Sequence, residues 1–161
     1  DAKVERMMVS SVAADKNTAR ISVMGVKNEP GIAFKIFNLL ARNNINVDII
    51  IQSVGREDRK DISFTVARND LQEAMTLLNE NKDAITAREI TCEVGVAKVS
   101  IIGAGMLSNP GVAAKMFEAL YSANINIKMI ATSEIRITVL IDEADANRAV
   151  RTVHDAFDMG D

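Results

Sequence analysis

The chain has 161 residues, 19 of them Lys or Arg and 22 Asp or Glu, with a formal net charge of −3. This mildly acidic balance, without a basic run, excludes the electrostatic footprint of a nucleic-acid binder, and no apolar stretch approaches the roughly 20 residues a membrane-spanning helix requires. A single cysteine, Cys92, excludes an internal disulfide framework and a thiolate zinc site and suits a reducing, cytoplasmic setting.

Asp1 stands where a methionine would open a complete chain, which predicts a fragment of a longer protein. An apolar segment over about 6–14 comes first. A β-branched strand over 19–26 follows, closed by Gly25 and the polar Lys27, Asn28 and Glu29. Pro30 then sits where a helix tolerates it, in the first turn. Ala33, Ile36, Phe37 and Leu40 recur at helical spacing, so one stripe is buried. Asn43 and Asn44 end the helix, strands are predicted over 46–54 and 61–67, and a second helix starts near Asp70 with the stripe Leu71, Ala74, Met75 and Leu78. A closing strand is predicted over 85–94.

The order then repeats. Residues 30–53 align with 110–133 without a gap, and eleven positions are identical. Repeats of this kind signal a duplicated module. Asn109 is a good N-cap before Pro110, and the helix carries Ala113, Met116, Phe117 and Leu120. Strands over 127–133 and 135–141 and a helix from near Asp145 complete the copy, which stops after Phe157 with no closing strand. An unpaired edge beside a buried face is unfavourable, so the segment 6–14 is predicted to cross over and fill the gap. The expected domains are 15–94 and 95–161, the second completed by that strand. The expected fold is α+β: two tandem ferredoxin-like βαββαβ modules with helices on one face of antiparallel sheets.

Chemistry is sparse. Alternation along 46–52 predicts that Asn46, Asp48 and Gln52 share one strand face and that Val47, Ile49 and Ile51 share the other. The polar set reads either as solvated surface or as the wall of a small pocket. The N–H groups of Gly31, Ile32 and Ala33, at the positive end of a helix, would attract an anion. An amine at Asp48 and a carboxylate at the helix start together describe an amino-acid zwitterion. The glycines of the run Gly103-Ala104-Gly105 read as a tight turn rather than a nucleotide loop, since Ser108 replaces the third glycine. His154 has no nucleophile or metal partner nearby in sequence, and Asp142, Glu143 and Asp145 fall at a helix start, where carboxylates are favoured. No catalytic set, metal site or cofactor is predicted.

The run from Gly25 through Gly31, with Asn44-Ile45-Asn46-Val47-Asp48, Gln52-Ser53-Val54 and Asp61-Ile62-Ser63-Phe64-Thr65-Val66, resembles the first ACT domain of the aspartate kinase family. The runs Val99 through Met106, Asn109 through Ala113, Asn124 through Ile127 and Thr132 through Ile137 resemble the second. The resemblance spans about Val9 to Phe157. It implies a regulatory C-terminal region or separately made β subunit, without kinase activity of its own, attached to or paired with a catalytic domain or α subunit that phosphorylates aspartate. It also implies feedback inhibition by threonine, lysine or both in a homodimer, at sites where the first module of one chain meets the second of its partner. By the same resemblance, Asn28, Glu29, Pro30, Gly31, Ile32, Ala33, Asn46, Val47, Asp48 and Gln52 are effector-binding positions, joined by Val112, Ala113, Asn126, Ser133 and Glu134 from the second module. Many relatives carry Asp at the position of Asn28 and Lys at that of Glu29, which leaves the choice of amino acid open. Lys128 stands in the second module where the first has Asp48, so no equivalent amine site is expected there. The competing expectation is an ACT-like dimerisation module that senses nothing.

Overall fold

The computed structural model describes residues 9–104 and 109–157. The chain forms two compact units, one of residues 17–94 and one combining the N-terminal strand with residues from Gly95 onward.

In the 17–94 unit the elements are β2 (Ala19–Lys27), α1 (Pro30–Arg42), β3 (Val47–Val54), β4 (Arg59–Val66), α2 (Leu71–Glu80) and β5 (Glu89–Glu93), following β1 (Val9–Asp15) in the chain. The antiparallel sheet has the order β3-β4-β2-β5. Ile21 and Val23 on β2 and Ile62, Phe64 and Val66 on β4 alternate onto one face. There they pack against Ile32, Ile36, Leu39 and Leu40 of α1 and Ala74 and Leu78 of α2. Phe37 meets Phe64 edge to face, with centroids 5.3 Å apart, a favoured aromatic geometry. The closing strand is shorter than expected. Ile85 is buried in the core from a turn, Thr86 is left-handed with φ 60°, and pairing begins only at Glu89.

The other unit holds β1, β6 (Val96–Gly103), α3 (Pro110–Ser122), β7 (Met129–Thr132), β8 (Arg136–Asp142) and α4 (Ala146–Ala156), with sheet order β1-β6-β8-β7. The N-terminal strand pairs with β6 from Val9 opposite Gly103 to Asp15 opposite Lys98. Val9 joins Val99, Ile101, Ile137, Val139 and Ile141 in the core beneath α3 and α4. The ends of the expected ranges, 6–8 and 158–161, lie outside the described residues, as do Gly105, Met106 and Ser108.

Each unit is therefore a βαββαβ-type sandwich with both helices on one face. A bulge in β3 departs from the expected pattern. Val47 pairs with Val66 and Ile50 with Phe64, so Asp48 and Ile49 together oppose Thr65. The Ile49 N–H donates to the Thr65 hydroxyl at 3.1 Å, which satisfies a group the interrupted ladder cannot. The extra residue overturns the expected two-face division. Val47 lies on the helix side with Val66, Ile51 on the opposite side with Ser63, and Gln52 back on the helix side with Ile62.

Candidate functional site

The entrance to α1 is more open than its counterpart. Glu29 occupies the N-cap and its side chain makes no cap hydrogen bond, as expected for a residue outside the good N-cap set. The Ile32 N–H, expected from the sequence to be free, instead donates to the Glu29 carbonyl at 3.3 Å. Ala33 is the fourth helical residue, and its N–H falls to the helical ladder. Pro30 has no N–H to offer. Gly31 thus carries the one uncommitted N–H at this entrance among the described residues, and a Cβ built on it would meet nothing within 4 Å. Asn28 and Glu29 are exposed, whereas the Ile32 side chain is 2% exposed and belongs to the core.

The corresponding helix in the second unit closes its own entrance. The Asn109 carboxamide accepts the Gly111 N–H at 3.1 Å. Val112 is fully buried and Ala113 packs on the same core, so these two can only back a site. Asn126, Ser133 and Glu134 are exposed.

Strand register shows which predicted residues lie together. Lys27 pairs with Arg59, and the Asn28 N–H donates to the Asp58 carbonyl at 3.0 Å, so the α1 entrance sits at the end of the sheet where β3 finishes and β4 begins. Gln52, opposite Ile62, is near that end, whereas Asn46, Val47 and Asp48 are at the other. From Asp48 to Val54 is about 20 Å at ~3.3 Å per residue. The charged groups of an amino acid share one carbon, so Asp48 and Gly31 of a single unit cannot hold the two ends of one zwitterion. The same polarity holds in the second unit. Asn126 precedes β7, and Ser133 and Glu134 follow it in the turn where the Ser133 N–H donates to the Arg136 carbonyl at 2.8 Å.

Both β3 and β7 are edge strands. Ile50 and Val54 on β3 are 44% and 69% exposed, and unpaired apolar edges of this kind invite another strand.

Sequence reading missed a polar network behind the α1 entrance. Arg59 donates to the Gly25 carbonyl at 2.9 Å and the Thr86 carbonyl at 3.3 Å. The Lys27 N–H donates to the Thr86 hydroxyl at 2.9 Å, and the Gly25 N–H to the Asp61 carboxylate at 2.9 Å. These contacts join residues far apart in the chain, and no local periodicity announces them.

A cleft of about 170 Å³ beside Phe34, Lys35, Asn38, Arg42 and Asn81 contains none of the predicted residues. Asp142 pairs with Lys128 at 3.3 Å and Asp145 with Arg148 at 2.7 Å. Among the described residues no group of three or more His, Cys, Asp or Glu could hold a metal ion, and no helix is long and apolar enough to cross a membrane.

Comparison with known proteins matches the ACT domain at residues 21–81 and 99–157. The aspartokinase of Helicobacter pylori is 46% identical over 162 residues, covering 99% of this chain and 40% of that protein. The aspartate kinase of Pseudomonas putida is 42% identical over 156 residues, covering 97% of this chain and 38% of the relative. This chain therefore spans about two fifths of the length of the curated relatives it matches. The crystal structure of the regulatory subunit of aspartate kinase from Thermus thermophilus superposes with a TM-score of 0.88 at 45% identity, covering 93% of this chain and 99% of that one.

Proposed function

We propose a sensing role for this chain, which belongs to the ACT domain family, among the regulatory parts of aspartate kinases. An end-product amino acid, threonine or lysine, binds where two chains of a homodimer meet and feedback-inhibits the phosphorylation of aspartate. That reaction belongs to a catalytic domain or α subunit outside this chain, working in the cytoplasm. Effector coupling of this kind is typically ~1–3 kcal/mol, or about 5- to 150-fold in affinity.

The observation that carries the reading is the division of the candidate residues between the two ends of β3. Antiparallel pairing of β3 with β7 of a second chain sets the start of one strand beside the end of the other. Asn28, the Gly31 N–H and Gln52 then meet the partner's Asn126, a set of N–H and amide groups that suits the carboxylate and hydroxyl of threonine. At the other end Asn46, Val47 and Asp48 meet the partner's Ser133 and Glu134, with the partner's Val112 and Ala113 behind. Two carboxylates there suit the side-chain ammonium of lysine.

The exposed Ile50 and Val54 also fit a plain dimerisation module, which would pair through the same edge and bind no metabolite. A thermal-shift series across the twenty amino acids separates the two. A sensor melts higher with one or two of them, and a flat response across all twenty removes the sensing role.

A further inference from the structure

The turn and linker around the α1 entrance are held in backbone conformations that their residues ordinarily avoid. The described residues other than glycine with positive φ are Asn44, Glu57, Asp58, Thr86 and Asn124. Asn44 and Asn124 follow the ends of α1 and α3, where a left-handed asparagine is common. Glu57, Asp58 and Thr86 are different. Glu57 and Asp58 are the central pair of a tight turn closed by the Arg59 N–H on the Arg56 carbonyl at 3.1 Å, a place where glycine or asparagine is the usual choice. Thr86, with φ 60°, is β-branched, the side-chain class least tolerant of that region. Strain of this sort persists only where surrounding contacts enforce it, and it gathers at working sites.

Several of the contacts that hold these residues reach the chain entering α1. Asp58 accepts the Asn28 backbone N–H at 3.0 Å and its side-chain amide at 3.3 Å. The Thr86 hydroxyl accepts the Lys27 N–H, and Arg59 ties the Thr86 and Gly25 carbonyls together. The Arg88 N–H donates to the Met24 carbonyl at 2.9 Å, and the Arg88 side chain lies over Gly25, where an added Cβ would come within 2.9 Å of its Cδ. The residues 24–28 are thereby fixed from two sides, by the β3–β4 turn and by the linker into β5. The next N–H groups in the chain are those of Glu29, which is spent on the Lys27 carbonyl at 2.9 Å, and of Gly31, which is open.

We propose that Arg59 and Thr86 are positioning residues for effector binding: they touch no ligand but hold the 24–28 segment so that the Gly31 N–H is presented uncapped. This deepens the sensing role proposed above and rests on it. Fixing the segment in advance removes an ordering cost from each binding event. Loosening it weakens the site at the α1 entrance and leaves the Asp48 end alone.

The test uses the full chain with Arg59→Ala, Thr86→Ala and the conservative Thr86→Ser, read by titration calorimetry with threonine and with lysine and by amide hydrogen exchange without ligand. Arg59→Ala and Thr86→Ala each weaken the amino acid bound at the α1 entrance by about tenfold, the scale of one or two lost hydrogen bonds. Thr86→Ser restores the affinity because it keeps the hydroxyl, and affinity at the Asp48 end does not change. Exchange rises at Lys27 and Asn28, whose N–H groups the clamp holds, in the two alanine variants. Affinities unchanged in both alanine variants, or weakened equally at both ends in step with a lower melting temperature, overturn the positioning role. Should the parent protein bind neither amino acid, the sensing role fails by itself. The exchange data still judge the clamp, because unchanged exchange at those two residues overturns it.

Discussion

Asn109 accepts the Gly111 N–H at 3.1 Å, and Glu29, which holds the same place before Gly31, accepts no such bond. Two copies of one module thus differ in the cap at a helix entrance, and among the described residues only the first copy has a donor to spare. Glu29→Asn transplants the cap. It should raise unfolding stability by about 1 kcal/mol, the usual worth of an N-cap, and weaken binding at this end, as read by urea denaturation and calorimetry. A stabilised variant that binds as the parent does would take the Gly31 N–H out of the site.

Gly31→Ala probes the same donor from outside. A Cβ meets nothing within 4 Å, so the chain accommodates the methyl group, and the helix gains up to about 0.5–1 kcal/mol from replacing glycine. The methyl group stands where a ligand would approach. The expected outcome is an equal or higher melting temperature together with reduced affinity for threonine. A loss of stability would mean that this entrance is already covered.

The two ends of β3 should fail independently. Asp48→Ala lowers lysine affinity about tenfold and spares threonine, and Gln52→Ala does the reverse, each on the scale of a hydrogen bond to a charged group. Both side chains are exposed, so melting temperatures should move little. Calorimetry on each variant with each amino acid decides, and equal losses for both ligands would mean one shared pocket.

Removing residues 1–14 strips almost all of β1 from β6. Val9 alone is 3% exposed, and burying a valine contributes about 1.5–3 kcal/mol. The unit containing β6 should melt earlier in scanning calorimetry while the 17–94 unit holds its transition. An unchanged melting profile would count against a structural role for the strand.

Much of the architecture could be read from residue order because the same stripe appears twice. Ala33, Ile36, Phe37 and Leu40 reappear as Ala113, Met116, Phe117 and Leu120, and a pattern repeated in both copies is hard to produce by chance. The bulge at Asp48 and Ile49 was not legible. One additional residue changes neither composition nor hydrophobicity, yet it shifts the phase of everything after it, so Gln52 leaves the face that strict alternation gives it alongside Asp48. Position 86 lies within the range 85–94 expected to be strand, and its contacts with Lys27, fifty-nine residues away, and with Arg59 hold it in a turn instead. The cap at Asn109, by contrast, is plain in the sequence, since asparagine is a good N-cap.

On the proposed pairing of two chains through the apolar rim of Ile50 and Val54, abundance itself becomes a control on this molecule. Protomers held together through such a seam dissociate on dilution, and their melting point then follows how much protein is present. An inhibitor that must be gripped by two chains would lose potency along with them. Scarce protein would then escape repression that abundant protein feels, and feedback would tighten as more of it is made.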